Sequence, residues 1–418
     1  MIKYPIFLTV LMLMVWGCNA GKTSTDNEQI PDNAVTDDSV TDEITDDGQS
    51  DPTDQPDQTT DDDTAVTDDG IVETDDGQVV HDDGTVVTDD SLLIDDDATD
   101  DLLTDDALTA DDDVVTEALL CTGQTKCYNN SEEMLCPAEG NAFYGQDAQY
   151  AALGKCAPRS YVVSGSSGSD IVTDEVTGLV WQRTLPVTYD GCTGSSGSTC
   201  TWQQAMDYCT DLTYGGYDDW RLPTRKELAT LPDYGRQYPA IDTTVFPDTP
   251  TSPFWSSSSY MYDTTYAWLV YFDTGDVDGN GKSSSGRARC VRGATLPDSA
   301  FTETTVAGKI LVTDTRTGLI WTKENNSAAT WQEALNYCEG LDHGGATDWR
   351  LPNIEELKTL LDDTGYFPAS DFPGMPAADF WSSSSSVTSI STALYVNFYL
   401  GYVSTYYKTN SYYARCVR

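Results

Sequence analysis

The sequence predicts an α+β protein in which two tandem copies of one domain follow a small disulfide-rich module and a long disordered acidic linker. Three observations lead to this prediction. Several motifs occur twice, in the same order, in the second half of the chain. Each copy begins with two apolar runs typical of strands and continues with a helical pattern. Ten of the eleven cysteines lie after the acidic segment, and an even set in an exported chain is typical of disulfides.

The N-terminus, residues 1–17, is predicted to be a lipoprotein signal peptide. Its apolar run from Ile6 to Trp16 is too short to span a bilayer. The following segment, VWGC, resembles the lipobox of bacterial lipoproteins, which implies that Cys18 is acylated. Because Trp16 is unusual in that motif, plain secretion is the alternative. Asn19 is typical of outer-membrane sorting, so we expect a lipid-anchored protein of the cell outer membrane whose domains are surface-exposed or periplasmic.

Residues 18–118 are predicted to be a disordered Asp/Thr-rich linker. Between positions 21 and 120 the chain has 31 Asp, 4 Glu and 1 Lys, so this segment carries −34 of the net charge of −47. Like charges at this density, with low hydrophobicity, oppose the burial of a core. A flexible chain of this length reaches about 50–60 Å, which is long enough to hold the domains away from a membrane.

Residues 119–165 are predicted to form a small Cys-rich module. Its cysteines, spaced C-x5-C-x8-C-x19-C, are Cys121, Cys127, Cys136 and Cys156. A zinc ribbon requires C-x2-C pairs, and this spacing has none. We therefore expect two disulfides among these four cysteines, with their pairing left open.

Residues 166–293 and 305–418 are predicted to be the two copies of the repeated domain. The matching segments are TGLVW and TGLIW, TWQQAMDYC and TWQEALNYC, DDWRLPTRKEL and TDWRLPNIEEL, then FWSSSS and ARCVR in both copies. An 11-residue insertion in copy one contains two further cysteines, which most simply pair with each other. The other four cysteines lie in equivalent motifs, one pair per copy. The expected bridges are Cys192–Cys200, Cys209–Cys290 and Cys338–Cys416.

Each copy is predicted to begin with a β-hairpin followed by a helix. Two apolar runs are separated by D-x-x-T-G, which places Gly178 or Gly318 where a hairpin requires positive φ. A capping box then precedes apolar residues at helical spacing. We expect the Gly-Gly pairs at 215–216 and 344–345 to end these helices.

The repeated cluster D-W-R-L-P-[TN]-x-x-E-L could build a site or only stabilise the fold. Its glutamate stands three residues after a Thr or Asn, so it is predicted to complete the capping box of a second, short helix. We expect Asp219 and Asp348 to hold Arg221 and Arg350 through bidentate bonds beside a buried tryptophan. This structural role is favoured, and ligand binding by Arg221 and Arg350 is the alternative.

The residue types offer little for catalysis. The chain has two histidines, His81 in the linker and His343 in copy two, and no Ser or Cys nucleophile has a repeated base to activate it. The serine runs after each Phe-Trp pair are predicted to lead from a strand into a polar loop. We therefore predict a protein that is not an enzyme and needs no cofactor.

One segment resembles the start of a calcium loop. DVDGNG, at 276–281, offers Asp276, Asp278 and Asn280 as ligands. However, Arg287 stands at the position where such a loop has its bidentate glutamate. A Gly-rich hairpin turn between strands is the favoured interpretation, with Ca²⁺ binding as the alternative.

Aromatic residues are frequent near the end of each copy. In copy two, Tyr399, Tyr402 and Tyr406 are candidates for stacking on sugars or for contacts with a protein. Strand alternation should bury about half of the aromatic side chains and expose the others.

Taken in order, the five repeated motifs resemble the C-terminal domain of the Legionella collagen-like adhesin, the Lcl C-terminal domain family. The resemblance implies a C-type-lectin-like fold, in which a cysteine of the first helix pairs with one of the last strand. It also implies surface attachment, with sulfated glycans as ligands in the namesake. This chain has the acidic linker in place of a collagen-like stalk, and net charges of −7 in copy one and −4 in copy two do not favour a polyanionic ligand.

The combined hypothesis is a lipid-anchored envelope protein that displays two lectin-like domains for binding an extracellular glycan or protein. Its strong negative charge gives no reason to expect a nucleic-acid partner. One alternative is a structural envelope protein with no small ligand. Another is an enzyme resembling the formylglycine-generating oxidases, which share the lectin fold but need free cysteines or a metal.

Overall fold

The fold is that of a computed structural model, which describes residues 72–73, 79–80, 120–154 and 156–418. The predicted signal peptide, Cys18, His81 and most of the predicted linker lie outside the described residues. The chain divides into two units, Met1–Asp105 and Asp106–Arg418. None of the helices in the described part of the chain has the length and hydropathy needed to cross a membrane.

In the first unit, the described residues form two antiparallel paired strands, β1 (Val72–Glu73) and β2 (Val79–Val80). The prediction of a disordered linker did not include these strands.

The second unit begins with the Cys-rich module, which contains little regular structure. Its elements are strands β3 (Cys127–Tyr128) and β4 (Glu133–Met134) and helix α1 (Asp147–Ala152). Disulfides join Cys121 to Cys156 and Cys127 to Cys136. The pairing that the sequence left open is therefore nested, with the short loop inside the long one.

The two copies have the same succession of elements, except that copy one has a 3-10 turn and a last strand, β11, without counterparts in copy two. In both copies the first strand begins before the domain bound predicted from the repeats. Copy one contains β5 (Tyr161–Ser164), β6 (Ile171–Asp174), β7 (Val180–Gln182), a 3-10 turn (Ser195–Gly197), α2 (Trp202–Asp211), α3 (Arg225–Leu228), β8 (Pro253–Ser259), β9 (Tyr266–Tyr271), β10 (Val277–Gly281) and β11 (Val291–Arg292). Copy two contains β12 (Phe301–Val306), β13 (Lys309–Asp314), β14 (Ile320–Thr322), α4 (Trp331–Glu339), α5 (Ile354–Lys358), β15 (Asp379–Ser385), β16 (Thr392–Asn397) and β17 (Val403–Tyr407). Sheets with a few short helices agree with the predicted α+β class.

The predicted hairpins and helix starts are confirmed, but the predicted helix ends are wrong. Gly178 and Gly318 have φ of 70° and 73°, and both long helices begin with a complete capping box. These helices end at Asp211 and Glu339, before the Gly-Gly pairs. The glycines at 215–216 and 344–345 instead have positive φ inside tight turns that follow, a conformation that glycine adopts without a steric penalty.

The serine runs are strands, not the polar loops that we expected. Strands β8 and β15 continue through the serines, with a register shift against the neighbouring strand. Ser256 and Ser382 are fully buried, and their hydroxyls donate to the carbonyl oxygens of Trp268 (3.0 Å) and Leu394 (2.8 Å). Hydrogen bonding to the backbone allows these small polar side chains to lie in a core.

One disulfide in each copy joins its long helix to its C-terminal segment. The bridges are Cys209–Cys290 and Cys338–Cys416, with a third, Cys192–Cys200, closing the insertion of copy one. All three are the predicted pairings, two from the equivalence of the copies and Cys192–Cys200 from its place in the insertion. The long-helix bridges are buried in separate hydrophobic clusters, one per copy.

The two copies share one six-stranded antiparallel sheet, ordered β15-β16-β17-β10-β9-β8. At its centre β10 pairs with β17, where Val277 lies opposite Val403. These valines are counterparts in the two copies, separated by the same 126 positions as the two FWSSSS motifs. Self-pairing of equivalent residues is the geometry of a two-fold interface, so the copies form an internal pseudo-dimer.

A continuous core supports this arrangement. One cluster of buried residues takes members from both copies, including Trp181 with Val277 and Trp321 with Val403. Because this core is common to the copies, we describe the second unit as one body rather than as two separate domains.

The Cys-rich module docks onto copy two through a buried carboxylate. Asp147, the first residue of α1, is 1% exposed and accepts hydrogen bonds from the hydroxyls of Thr122 (2.7 Å) and Ser384 (2.6 Å). Burial raises the pKa of Asp147 to about 6, although both hydroxyls and Arg350 lower it; Glu356 raises it further. The ionised carboxylate is therefore disfavoured in the docked state.

This geometry predicts that docking of the module strengthens as pH falls. Because the folded pKa of Asp147 lies above its unfolded value, its contribution is fully present below about pH 4 and is lost as pH rises through about 6. Protection of the module's amides against hydrogen exchange should increase by about 1 kcal/mol between pH 7 and pH 5. In Asp147→Asn that difference should vanish; an unchanged pH dependence in this variant would refute the assignment.

Candidate functional site

The repeated Arg and Glu residues bind each other. Arg221 donates two hydrogen bonds of 2.7 Å to Glu227, and Arg350 donates two of 2.5 Å to Glu356. Each glutamate also accepts from the backbone amide of its cap residue at 2.8 Å, which completes the predicted capping box. The cluster thus ties the preceding loop to the first turn of the short helix.

The prediction that Asp219 and Asp348 bind these arginines is wrong. Asp219 accepts from Arg292 at 2.7 and 3.0 Å, and Asp348 lies 3.4 Å from the guanidinium of Arg418. Both aspartates are largely exposed, whereas the cap glutamates are buried beside the arginines. The aspartate lies two positions before each arginine and the glutamate six positions after it, and the sequence reading chose the nearer acid.

Access to the two arginines differs. The side chain of Arg221 is 29% exposed, whereas that of Arg350 is 7% exposed and lies 5.1 Å from the ring of Tyr150 in the Cys-rich module. The guanidinium of Arg350 is covered and fully engaged by Glu356, so it has no surface to offer to a ligand. The buried tryptophan expected beside each arginine is present, as Trp220 and Trp349.

The predicted calcium segment is neither a loop nor a turn. Asp278 and Asn280 lie in strand β10, and Asp276 immediately precedes it. The side-chain oxygens of Asp278 and Asn280 accept hydrogen bonds from the next backbone amides, at 2.7 and 2.8 Å. Burial raises the pKa of Asp276 to about 6. Across the described residues, no three His, Cys, Asp or Glu side chains come together as a metal site.

Two of the candidate tyrosines belong to a partly buried row on copy two. Tyr402 and Tyr406 lie 6.1 and 6.4 Å from the ring of Tyr395, and Tyr406 stacks on Tyr412 at 5.7 Å. Tyr395 is buried, Tyr402 is half-buried and Tyr406 is exposed. This row therefore belongs largely to the sheet's own packing, and only its end faces solvent.

The third candidate, Tyr399, lies in an exposed cluster that we call the aromatic patch: Tyr262, Tyr366, Phe367 and Tyr399. Phe367 contacts Tyr399 at 4.1 Å, Tyr366 at 5.1 Å and Tyr262 at 5.4 Å, measured between ring centroids. Each of the four side chains is between 38% and 58% exposed. Four large rings in mutual contact on a surface are typical of a binding site.

The backbone holds Phe367 in an uncommon conformation. Its φ is 58°, in the left-handed region, and its amide donates to the carbonyl of Tyr399 at 3.1 Å. In copy one Tyr238 has the same conformation, with φ of 52° and a 3.0 Å bond to the carbonyl of Asp273. Non-glycine residues of this kind persist only where their surroundings impose the conformation, and they concentrate at functional sites.

Sequence reasoning identified Tyr399 but missed the rings around it. Tyr366 and Phe367 lie in a loop with no motif, and Tyr262 belongs to the other copy. A usable signal existed in the aromatic-proline pairs, Tyr238-Pro239 and Phe367-Pro368, which recur at equivalent positions with an aromatic ring exposed in each.

Comparison with protein families identifies both copies. The model of the Lcl C-terminal domain matches residues 170–292 and 310–418, which together make up more than half of the chain. Both matches lie within the domain bounds predicted from the repeats. Among curated proteins, no match was found.

Proposed function

The chain belongs to the Lcl C-terminal domain family, and on this premise we propose that it is a lipid-anchored envelope protein that binds an extracellular glycan or protein. Two lectin-like copies, built as one pseudo-dimer, are displayed at the end of the acidic linker. The anchor is the acylated Cys18 in the outer membrane, with the domains facing the surface or the periplasm. In each copy a disulfide joins the long helix to the C-terminal segment, and this bridge supports the C-type-lectin-like assignment.

The aromatic patch carries this proposal. Its exposed rings offer apolar faces with a negative quadrupole, which suit the C–H face of a sugar or the side chains of a protein partner. Tyrosine also adds a hydroxyl for hydrogen bonding at low entropic cost, since its side chain has few rotatable bonds. The proposed activity is binding without catalysis or cofactor.

Rigidity of the second unit supports a preformed binding surface. Five disulfides cross-link this unit, and Phe372 and Phe398, in two of the loops that carry the rings, are buried in the shared core. A ligand therefore meets rings that are already in place, and binding avoids much of the entropic cost of ordering them.

Removing two rings of the patch should abolish most of this binding. The mature chain and a Phe367→Ala/Tyr399→Ala variant would be compared on arrays of glycans and cell-surface proteins. We expect affinity for any ligand of the wild type to fall at least about tenfold, since buried aromatic anchors typically contribute more than 1.4 kcal/mol. Tyr407→Ala, an exposed tyrosine outside the patch, serves as the control. A wild type that binds nothing on either array would refute the proposed function.

The membrane anchor is tested separately. Substitution of Cys18 by serine removes the thiol that would be acylated, and with it the covalent lipid on which the proposed membrane anchoring depends. We expect Cys18→Ser to move from the membrane fraction to the soluble fraction of the producing cells. Retention in the membrane fraction would contradict lipid anchoring at this residue.

A further inference from the structure

We infer that the aromatic patch is a single composite site, built by both copies, that receives an Arg- or Lys-containing segment of a partner protein. This inference rests on the proposed function and specifies the number of sites, the residues that make them and the charge of the partner.

The site is composite because copy one supplies one of its rings. Tyr262 lies in the turn between β8 and β9 of copy one, and it contacts Tyr366 at 6.1 Å and Phe367 at 5.4 Å in copy two. Polar bonds fix the two copies close to this contact. Ser258 donates to Asp363 at 2.9 Å, and Arg225 binds Asp363 as well as the carbonyl of Gly401 at 2.7 Å.

The pseudo-two-fold symmetry does not produce a second patch. By the repeat offsets, Phe367 corresponds to Tyr238 and Tyr366 to Gln237. Tyr399 corresponds to Asp273, and Tyr262 to Thr388. Only one of these four counterparts is aromatic. Although the copies share a fold, the chain therefore presents one cluster of four rings and, at the related position, an isolated tyrosine.

The surroundings of the patch are acidic. The loops that carry its rings, residues 260–266, 361–374 and 397–402, contain Asp263, Asp362, Asp363 and Asp371 but no Lys, Arg or His. Arg225 neutralises Asp363, which leaves three uncompensated carboxylates in these loops. A field of this sign attracts cations and repels sulfated or phosphorylated polymers.

The same chain shows how such rings take up a cation. Arg292 lies 3.8 Å from the ring centre of Tyr217 while it binds Asp219, and Arg225 lies 4.4 Å from that of Trp268 while it binds Asp363. Ring, guanidinium and carboxylate recur as one unit. Within the described part of the chain, none of the cation–ring contacts involves the four rings of the patch, so a partner's cation completes the unit there.

Ring orientation favours a side chain over a sugar. The planes of Tyr262, Tyr366 and Phe367 lie at 63° to 72° to one another, so these three rings share no flat platform. A guanidinium or ammonium group needs no such platform, because one ring face with a carboxylate beside it is enough.

The test measures a charge-dependent affinity in full-length protein. A labelled nine-residue peptide with three arginines would be titrated by fluorescence anisotropy, beside the same peptide with citrulline, the neutral isostere, at every arginine. The acidic linker also attracts cationic peptides, but it is identical in all variants, so differences between variants report the patch. Titrations at about 0.15 M NaCl suppress the long-range attraction of the linker.

We expect Tyr262→Ala and Phe367→Ala each to weaken binding of the arginine peptide by about tenfold. Tyr238→Ala should bind as the wild type does, because this tyrosine is the counterpart of Phe367 with the same backbone conformation. The patch-dependent component should saturate at one peptide per chain. Unchanged melting temperatures would show that each variant is folded.

Each of the following results would overturn the inference. If the citrulline peptide bound as tightly as the arginine peptide, charge would not contribute to binding. If Tyr262→Ala bound the arginine peptide with wild-type affinity, copy one would not contribute to the site. Loss of binding in Tyr238→Ala, or two patch-dependent peptides per chain, would show that the sites are not confined to one patch. If instead a neutral glycan on the arrays depends on Phe367 and Tyr399, the proposed function stands while this inference fails.

Discussion

Replacing Arg350 by alanine is expected to lower the free energy of unfolding by about 3–5 kcal/mol, because it leaves the carboxylate of Glu356 buried without its charge partner. Glu356 is 1% exposed, and its carboxylate would retain the hydrogen bond from the backbone amide of Asn353 without any charged partner. Deleting a guanidinium beneath Tyr150 also opens a cavity between copy two and the Cys-rich module. Urea unfolding followed by tryptophan fluorescence measures the loss, since Trp349 is buried beside this cluster.

Arg221→Ala is the matched variant in copy one. It breaks the same bidentate bond to a buried glutamate, but the side chain of Arg221 is 29% exposed. Water can reach part of the vacated space, so we expect a smaller loss of about 1–3 kcal/mol. Ligand affinity of the folded fraction should stay unchanged in both variants. If Arg350→Ala kept wild-type stability and lost binding, the arginines would belong to a binding site and the structural interpretation would be wrong.

Removing the Cys338–Cys416 bridge is expected to cost about 4–5 kcal/mol, the chain-entropy value for a closed loop of about 80 residues. The bridge joins positions 78 apart, so its absence releases most of copy two in the unfolded state. The double variant Cys338→Ala/Cys416→Ala avoids free thiols and keeps the site apolar. Its unfolding in urea, compared with the wild type, gives the loss in stability.

The short bridge of copy one provides the comparison. Cys192 and Cys200 are 8 positions apart, and Cys192→Ala/Cys200→Ala should cost about 2–3 kcal/mol on the same basis. The long bridge lies in a hydrophobic cluster with Trp331 and Trp381, and the short one packs in the cluster of copy one through Cys200, which is buried. Equal losses for the two double variants would show that loop length does not determine the stabilisation here.

The aromatic patch illustrates why a binding surface can be absent from the repeat pattern. The motifs shared by the two copies are capping boxes, cysteines, buried tryptophans and buried serines, all of which serve folding. Three of its four positions lack an aromatic residue in the other copy, and Tyr262 joins it only because β10 and β17 bring the copies together. Comparison of the copies by sequence therefore highlights the scaffold and passes over the site.

Errors of the sequence reading have the same physical origin. Asp219 was predicted to bind Arg221, and Glu227 only to cap α3, whereas Glu227 does both because the first turn of α3 packs against the arginine. DVDGNG contains turn-forming residues, yet its last five, 277–281, are held extended by pairing with β9. In both cases the deciding interaction involves a three-dimensional neighbour that local spacing does not reveal.

By itself, the sequence determined those features whose causes lie within a few residues or in the equivalence of the two copies. These are the hairpins with Gly178 and Gly318, the capped helices and the three bridges of the repeated domains. Only the tertiary structure decided which acid holds each arginine, how the copies share a sheet, and that four rings meet on one surface. Capping, turn chemistry and the matching of equivalent cysteines can be read from spacing, whereas burial and contact between distant segments depend on the packing of the whole unit.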